Sequence, residues 1–300
     1  MPDGDPRFEF GANWRQFLRT LNDDRIAHAE ESLRGMLGLD RLDGRRFLDI
    51  GSGSGLFSLA ARRLGATVHS FDYDPQSVAC TRELRARHFP GDPGWTIDQA
   101  SVLDPDYLRQ LGAFDVVYSW GVLHHTGDLW QALANAAIPV APDGRLYLAL
   151  YADQGRKSRF WWWVKRTYVA LPRPLRVPWA LLVIAPFETR LFLKWTLTGQ
   201  FQRWLDNWTH YDRVSVRGMS RWYDMIDWVG GFPFEVTSPG ALRRFYDDLD
   251  FELLEVRPTG GAGCIEYLLQ HRGEAMRRRG ERTPGPARSA AERPLGPETA

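Results

Sequence analysis

Between Asp49 and Gly55 the chain runs Asp-Ile-Gly-Ser-Gly-Ser-Gly, with Gly51, Gly53 and Gly55 at alternate positions. An apolar run precedes them and an amphipathic one follows. Glycine adopts positive φ at little cost and lets a ligand approach the main chain. The helix start beyond it offers N–H groups and the positive end of a dipole. Twenty-one residues after Gly51, Asp72 closes the next apolar run. A carboxylate there is placed to accept both hydroxyls of a ribose. The spacing is not the Gly-x-Gly-x-x-Gly of dinucleotide sites, and no Gly-Lys-Ser/Thr of a P-loop is present. Asp49, two residues before Gly51, would repel a pyrophosphate and tolerate an ammonium. The turn therefore suits a nucleoside that carries positive charge. A plain strand-to-helix turn would explain the glycines alone, and a solvated loop acid would explain Asp72 alone.

The elements that must position these residues are legible on either side. In 46–151 short apolar strands alternate with helical patterns: RFLDI, TVHSFD, WTIDQAS, FDVVYSW and RLYLALY as strands, with helices between them. The segment GDLWQALANAAIPVA is expected to be a helix stopped by Pro142 and Gly144. Such alternation implies βαβ units and a parallel sheet with helices on both faces. Pro75 suits the first turn of one helix, and Asp74 its cap. Upstream, Ile26, Ala29, Leu33, Met36 and Leu37 recur at helical spacing, with Asp23 and Asp24 in the first turn. Downstream, Ser238 and Pro239 start a helix, and FELLEVRP and CIEYLLQHR form an antiparallel edge pair. Residues 273–300 hold almost no large apolar side chains and are expected to be a disordered tail.

The segments FLDIGSGSGLFSLAARRLGATVHSFDYDP and FDVVYSWGVLHHTGDLWQAL resemble the class I S-adenosylmethionine-dependent methyltransferases, and most closely their small-molecule branch with the quinone-biosynthesis methylases. The resemblance covers about 45–151. It implies an α/β fold: a Rossmann-like three-layer sandwich on a mostly parallel seven-stranded sheet, closed by an antiparallel edge hairpin. It implies S-adenosyl-L-methionine as cofactor. Asp49, Gly51, Ser52, Gly53 and Gly55 match the motif around the methionine part, and Asp72 the ribose acid. Tyr73 falls where a side chain packs on adenine. Ser101 and Val102 should border the adenine with Asp104 nearby, and Ser119 and Trp120 should line the methionine side. Ser101 stands where many relatives carry an acid for the adenine amino group. In-line methyl transfer needs alignment above all. A base is required only for a protonated acceptor such as a phenol. His124, His125 and His210 are the candidates, with Tyr211 beside the last. Each has a bland alternative as a cap or a backbone partner.

Residues 152–232 break the pattern. Ten Lys/Arg and one acid, Glu188, lie between Arg156 and Arg203, with eleven aromatics from Phe160 to Trp204. Prolines 172, 174, 178 and 186 are expected to chop this stretch into short helices. It is expected to be an inserted helical lid whose aromatics line a large pocket for a lipophilic acceptor. The same residues, 156–204, would also suit peripheral membrane contact, with Trp at the interface and cations on anionic headgroups. An ordinary helical subdomain is the third possibility. Residues 1–45 are expected to form an N-terminal helical flap in this organisation, with Phe10, Asn13 and Trp14 over the site; plain helix packing is the alternative. Residues 46–151 and 233–272 make the core.

Composition sets the outer bounds. The 300 residues carry a formal net charge of +1, with 44% hydrophobic and 25% charged residues. This gives no overall bias toward nucleic acid. The two cysteines, Cys80 and Cys264, make neither a disulfide framework nor a zinc pattern. The opening MPDGDPRFEF lacks an apolar signal region, and no 18-residue apolar run occurs. The expected location is cytoplasmic. After FDVV the chain reads YSWGVL, not the Asn/Asp-Pro-Pro-Tyr/Phe of enzymes that methylate amino groups of bases or glutamine. The expected reaction is O- or C-methylation of an apolar or aromatic small molecule. The alternatives are a methyltransferase of RNA or protein, and a non-catalytic cofactor-binding protein.

Overall fold

The computed structural model describes Phe8, Trp14 and residues 17–19, 21–209, 221–258 and 264–273. His210, Tyr211, Phe10, Asn13 and the tail beyond residue 273 lie outside the described residues. In chain order the elements are α1 (Asp23–Leu37), β1 (Arg46–Ile50), α2 (Leu56–Arg63), β2 (Thr67–Asp72), α3 (Pro75–His88) and β3 (Trp95–Gln99). They continue with α4 (Pro105–Gln110), β4 (Phe114–Trp120), a 3-10 turn (Leu123–His125), α5 (Leu129–Ala137) and β5 (Val140–Tyr151). Four helices follow, α6 (Arg156–Ala170), α7 (Arg173–Leu197), α8 (Phe201–Thr209) and α9 (Arg221–Gly230). Then come α10 (Pro239–Asp247), β6 (Phe251–Pro258) and β7 (Cys264–His271).

One seven-stranded sheet runs β3-β2-β1-β4-β5-β7-β6. The first five strands are parallel, and β7 pairs antiparallel with β5 and β6. Period-2 alternation sends neighbouring residues to opposite faces. Phe47, Val116, Tyr118 and Tyr147 pack with α1–α3, and Leu48, Val117, Leu146 and Leu148 with α4, α5 and α10. The five apolar residues of α1 picked out by helical spacing are all buried. Its cap is Asn22, which accepts from Arg25 N, and not Asp23 or Asp24; those two lie in the first turn, where their charge suits the dipole.

Three local expectations fail for physical reasons. The helix after β4 ends at Ala137, ahead of Pro139, and β5 begins at Val140 with a register irregularity before Arg145. Asp104 is the N-cap of α4, a helix the sequence patterns had not suggested, and accepts from Asp106 N and Tyr107 N. The prolines of 172–186 do not produce short helices. Pro172 and Pro174 sit at the start of α7, and its 25 residues run through Pro178 and Pro186. Both inner prolines are solvent-exposed, as are Pro174 and Leu182 four residues before them, so water can reach the carbonyls the prolines leave without a donor.

Helices α6, α7 and α9 share their own small core of Val164, Tyr168, Ala180, Ile184 and Val229. Lys165 is buried beneath it, donates from Nζ to Trp228 O, and lies 5.1 Å from the ring centroids of Trp228 and Phe234. Beyond α9, Glu235 ties the block to the start of α5: its carboxylate accepts from Gly127 N at 3.0 Å and Leu129 N at 3.1 Å. Among the described residues no helix is long and apolar enough to cross a membrane.

Candidate active site

A cleft of about 990 Å³ opens at the carboxyl ends of β1, β2 and β4. That is where ligands bind in open α/β sheets. Its volume is at the upper end of the range of roughly 300–1,000 Å³ usual for small-molecule sites. The glycine turn forms one wall. Gly51, Gly53 and Gly55 have φ of 75°, 55° and 82°. A Cβ on Gly51 would stand 2.4 Å from Val122 Cγ1, and one on Gly53 3.0 Å from the Trp14 ring. The turn thus presses against the loop after β4 on one side and the N-terminal segment on the other.

Asp72 organises this turn. Its Oδ2 accepts from Gly53 N and its Oδ1 from Asp74 N, both at 2.9 Å. The backbone of Tyr73 is a third donor to this carboxylate; a carboxylate has about four acceptor positions, so capacity remains for a ligand hydroxyl. Burial raises Asp72 to about 6 despite these donors. Asp49 accepts from Ser58 Oγ at 2.5 Å. Burial, with the charge of Asp72 adding to it, raises Asp49 to about 7. Two carboxyls held upward by desolvation in one cleft constitute a site that gains from a positive ligand.

Of the residues expected to touch the cofactor, Asp49, Gly51, Ser52, Gly53, Asp72, Tyr73, Ser101, Val102 and Trp120 line the cleft. Two do not. Gly55 is the N-cap position of α2, packed on Thr81. Ser119 is fully buried and donates to Ile50 O at 3.1 Å, linking β4 to β1. Asp104 is likewise absent from the lining. The patterns missed Ser77, Leu103, Val122 and Thr126, which enter the lining from loops and a helix start.

The histidines separate. His124 is fully buried, does not line the cleft, and its Nδ1 accepts from Tyr151 N at 3.4 Å. Its ring lies 4.0 Å from that of Tyr151. His125 lines the cleft, and its Nδ1 stands 2.6 Å from Pro233 O. A carbonyl only accepts, so Nδ1 carries the proton, and in the neutral ring Nε2 has the lone pair.

The aromatics of 152–232 do not build the pocket. Among the described residues of that stretch, only Phe232 lines the cleft. Instead Phe160, Trp162, Trp163, Leu181, Leu182 and Phe187 are exposed, Leu182 by 66% and Leu197 by 84%. Helices α6 and α7 turn only a few apolar residues toward their shared core, and the richness of the sequence leaves the remainder outside.

The residues fit S-adenosylmethionine. A close-approach glycine turn, a carboxylate with spare acceptor capacity, a second, buried acid and an apolar slot at Ala100–Leu103 surround one space. Residues 48–146, about a third of the chain, match the family of methyltransferase domains; that match and this sheet order support an S-adenosylmethionine-dependent methyltransferase. A tRNA U34 carboxymethyltransferase of Methylococcus capsulatus is 34% identical over 119 residues, 39% of this chain and 36% of that protein. A ubiquinone biosynthesis O-methyltransferase of Parvibaculum lavamentivorans is 29% identical over 137 residues, 44% of this chain and 52% of that protein. The chain thus spans about a third and about half of these curated relatives. The structure of a magnesium protoporphyrin IX methyltransferase from Synechocystis PCC 6803 with bound SAH shares the fold, with a TM-score of 0.51 at 14% identity over 87% of this chain and 93% of that one.

Proposed function

We propose that the chain transfers a methyl group from S-adenosylmethionine to oxygen or carbon of an apolar or aromatic small molecule. One observation carries the reading: the buried Asp49 and the half-buried Asp72 meet a positive-φ glycine turn in a cleft otherwise walled largely by rings and aliphatic chains. S-Adenosylmethionine, when bound, supplies an electrophilic methyl group on a sulfonium. Asp72 holds the ribose, and Asp49 faces the positive end. Ser52 and the backbone of Gly51 and Gly53 cradle the methionine part, with Trp120 on its far side. Tyr73, Ser101 and Val102 border the adenine. Trp14 and Phe8 cover the cleft as part of the flap and exclude water, which strengthens alignment and electrostatics together. His125 Nε2 takes the proton of an acceptor hydroxyl, and His124 supports the loop from beneath.

The ubiquinone relative supports a lipophilic acceptor. The exposed apolar surface of α6–α8, edged by Arg159, Arg166, Arg190 and Lys194, supports collecting such an acceptor at an anionic membrane surface. The tRNA relative and those same cations favour a second reading, a macromolecular acceptor. Incubation with methyl-labelled cofactor and fractionated cell extract tests the choice. The expected result is label in the organic-solvent phase. Label in RNA or protein would replace the small-molecule reading, and cofactor binding with no label moved would leave a non-catalytic binder.

A further inference from the structure

The cleft extends well past the glycine turn, into a compartment between α1 and the sheet. Its floor is two cross-strand rows. Asp49 on β1 pairs with Tyr118 on β4, and Tyr118 with Tyr147 on β5. Two residues along, Trp120 pairs with Ala149, and Ala149 with Glu266 on β7. Residues two apart on a strand share a face. Tyr118 and Trp120 therefore stand together toward α1, whose His28, Ser32 and Gly35 line the opposite side. Trp120 donates its indole N–H to Glu266 at 2.9 Å. The Tyr118 ring stacks on Phe57 at 4.9 Å and meets Tyr147 edge-on at 5.0 Å. That ring is fixed and 2% exposed, yet its hydroxyl has no hydrogen-bond partner among the described residues. Buried polar atoms in folded proteins are nearly always paired. An orphan phenol in a cleft wall, one strand from a cofactor-site acid, points to a ligand oxygen as its partner.

We infer that this compartment is the methyl-acceptor subsite, in which the Tyr118 hydroxyl hydrogen-bonds an oxygen substituent of an aromatic acceptor. The inference rests on the methyltransferase reading above and adds to it the place and the chemistry of the acceptor. Burial above all, then the nearby Tyr147, Asp49 and Glu266, hold the Tyr118 phenol far above its ordinary range. It is therefore a neutral donor, suited to a carbonyl, phenolic or ether oxygen. Phe57, Tyr118, Tyr147 and Trp120 wall the space with rings, and offset or edge-on ring contacts favour a flat aromatic guest over a flexible chain.

Fluorine NMR with 4-fluorocatechol as the probe tests this on the full chain saturated with S-adenosylhomocysteine. Saturable binding to the wild type is expected, weakened about tenfold in Tyr118→Phe, the loss of one neutral hydrogen bond. Fluorobenzene, which offers no oxygen, is expected to bind the two proteins alike. Gly35→Trp is the second variant. Gly35 lies in α1 with nothing within 4 Å of where its Cβ would be, so a bulky residue there narrows the compartment without straining the fold. It is expected to weaken both probes and leave S-adenosylhomocysteine affinity unchanged. Equal 4-fluorocatechol affinity in Tyr118→Phe, no saturable binding to the wild type, or full binding in Gly35→Trp would overturn the subsite while the cofactor reading stands. Failure of the wild type to bind S-adenosylhomocysteine would overturn both.

Discussion

Asp49 at about 7 and Asp72 at about 6 are displaced upward, opposite to the usual shift of a salt-bridged acid. The unfolded values are about 3.9. Between those limits the folded chain holds more protons than the unfolded one, so the ligand-free protein loses stability as pH rises from about 4 to about 7. A positive ligand prefers the ionised acids and reverses the trend. S-Adenosylmethionine affinity is expected to rise about tenfold or more from pH 5 to pH 8, with proton release below pH 7. Calorimetry in buffers of different ionisation enthalpy measures both; affinity flat across that range would contradict the assignment of Asp49. His125→Ala is expected to slow turnover about a hundredfold with cofactor affinity intact, whereas His124→Ala should act first on thermal stability. A rate unchanged in His125→Ala would leave transfer to alignment alone. Spacing located the acids, because glycine turns and strand ends impose it. It could not rank two adjacent histidines, since their difference comes from a carbonyl at Pro233, 108 residues away.

The elements carry two further expectations. Gly51→Ala combines a positive φ with a Cβ 2.4 Å from Val122, and is expected to cost at least about 1–3 kcal/mol. Val122→Ala in the same chain should recover part of that loss, and a denaturation cycle with no coupling would deny the close approach. Glu235, five residues after α9 ends, accepts from Gly127 N and Leu129 N at the start of α5, beside its cap Asp128. Glu235→Ala should therefore lower stability by about 1–2 kcal/mol, and Glu235→Gln by less. If both variants melt with the wild type, the carboxylate does not anchor the block. Alternation of period 2 and helical period made the core elements legible from Arg46 to Tyr151, and α1 with its buried stripe. The same rules misjudged α7, because a proline breaks a helix only where its orphaned carbonyl cannot be satisfied, and solvent exposure is invisible in sequence. They also missed α4, whose six residues are too short for any period.

For the whole molecule, aromatic richness alone could not say whether the 152–232 side chains face inward or outward. Twelve of the large apolar residues between Phe160 and Trp208 face outward, and the pocket is built elsewhere, from α1, the glycine turn and β4. Sedimentation with phosphatidylglycerol vesicles should therefore pull the protein down at low salt, with phosphatidylcholine and high salt each weakening the effect. Protein left in the supernatant with both lipids would remove the membrane role and leave the cofactor site untouched. That site is tested most directly by titrating S-adenosylhomocysteine into the wild type and Asp72→Ala by calorimetry. A single saturable site in the wild type, weakened about a hundredfold on losing two charge-assisted hydrogen bonds, is the predicted result; no heat in the wild type, or equal affinity in the variant, would contradict it.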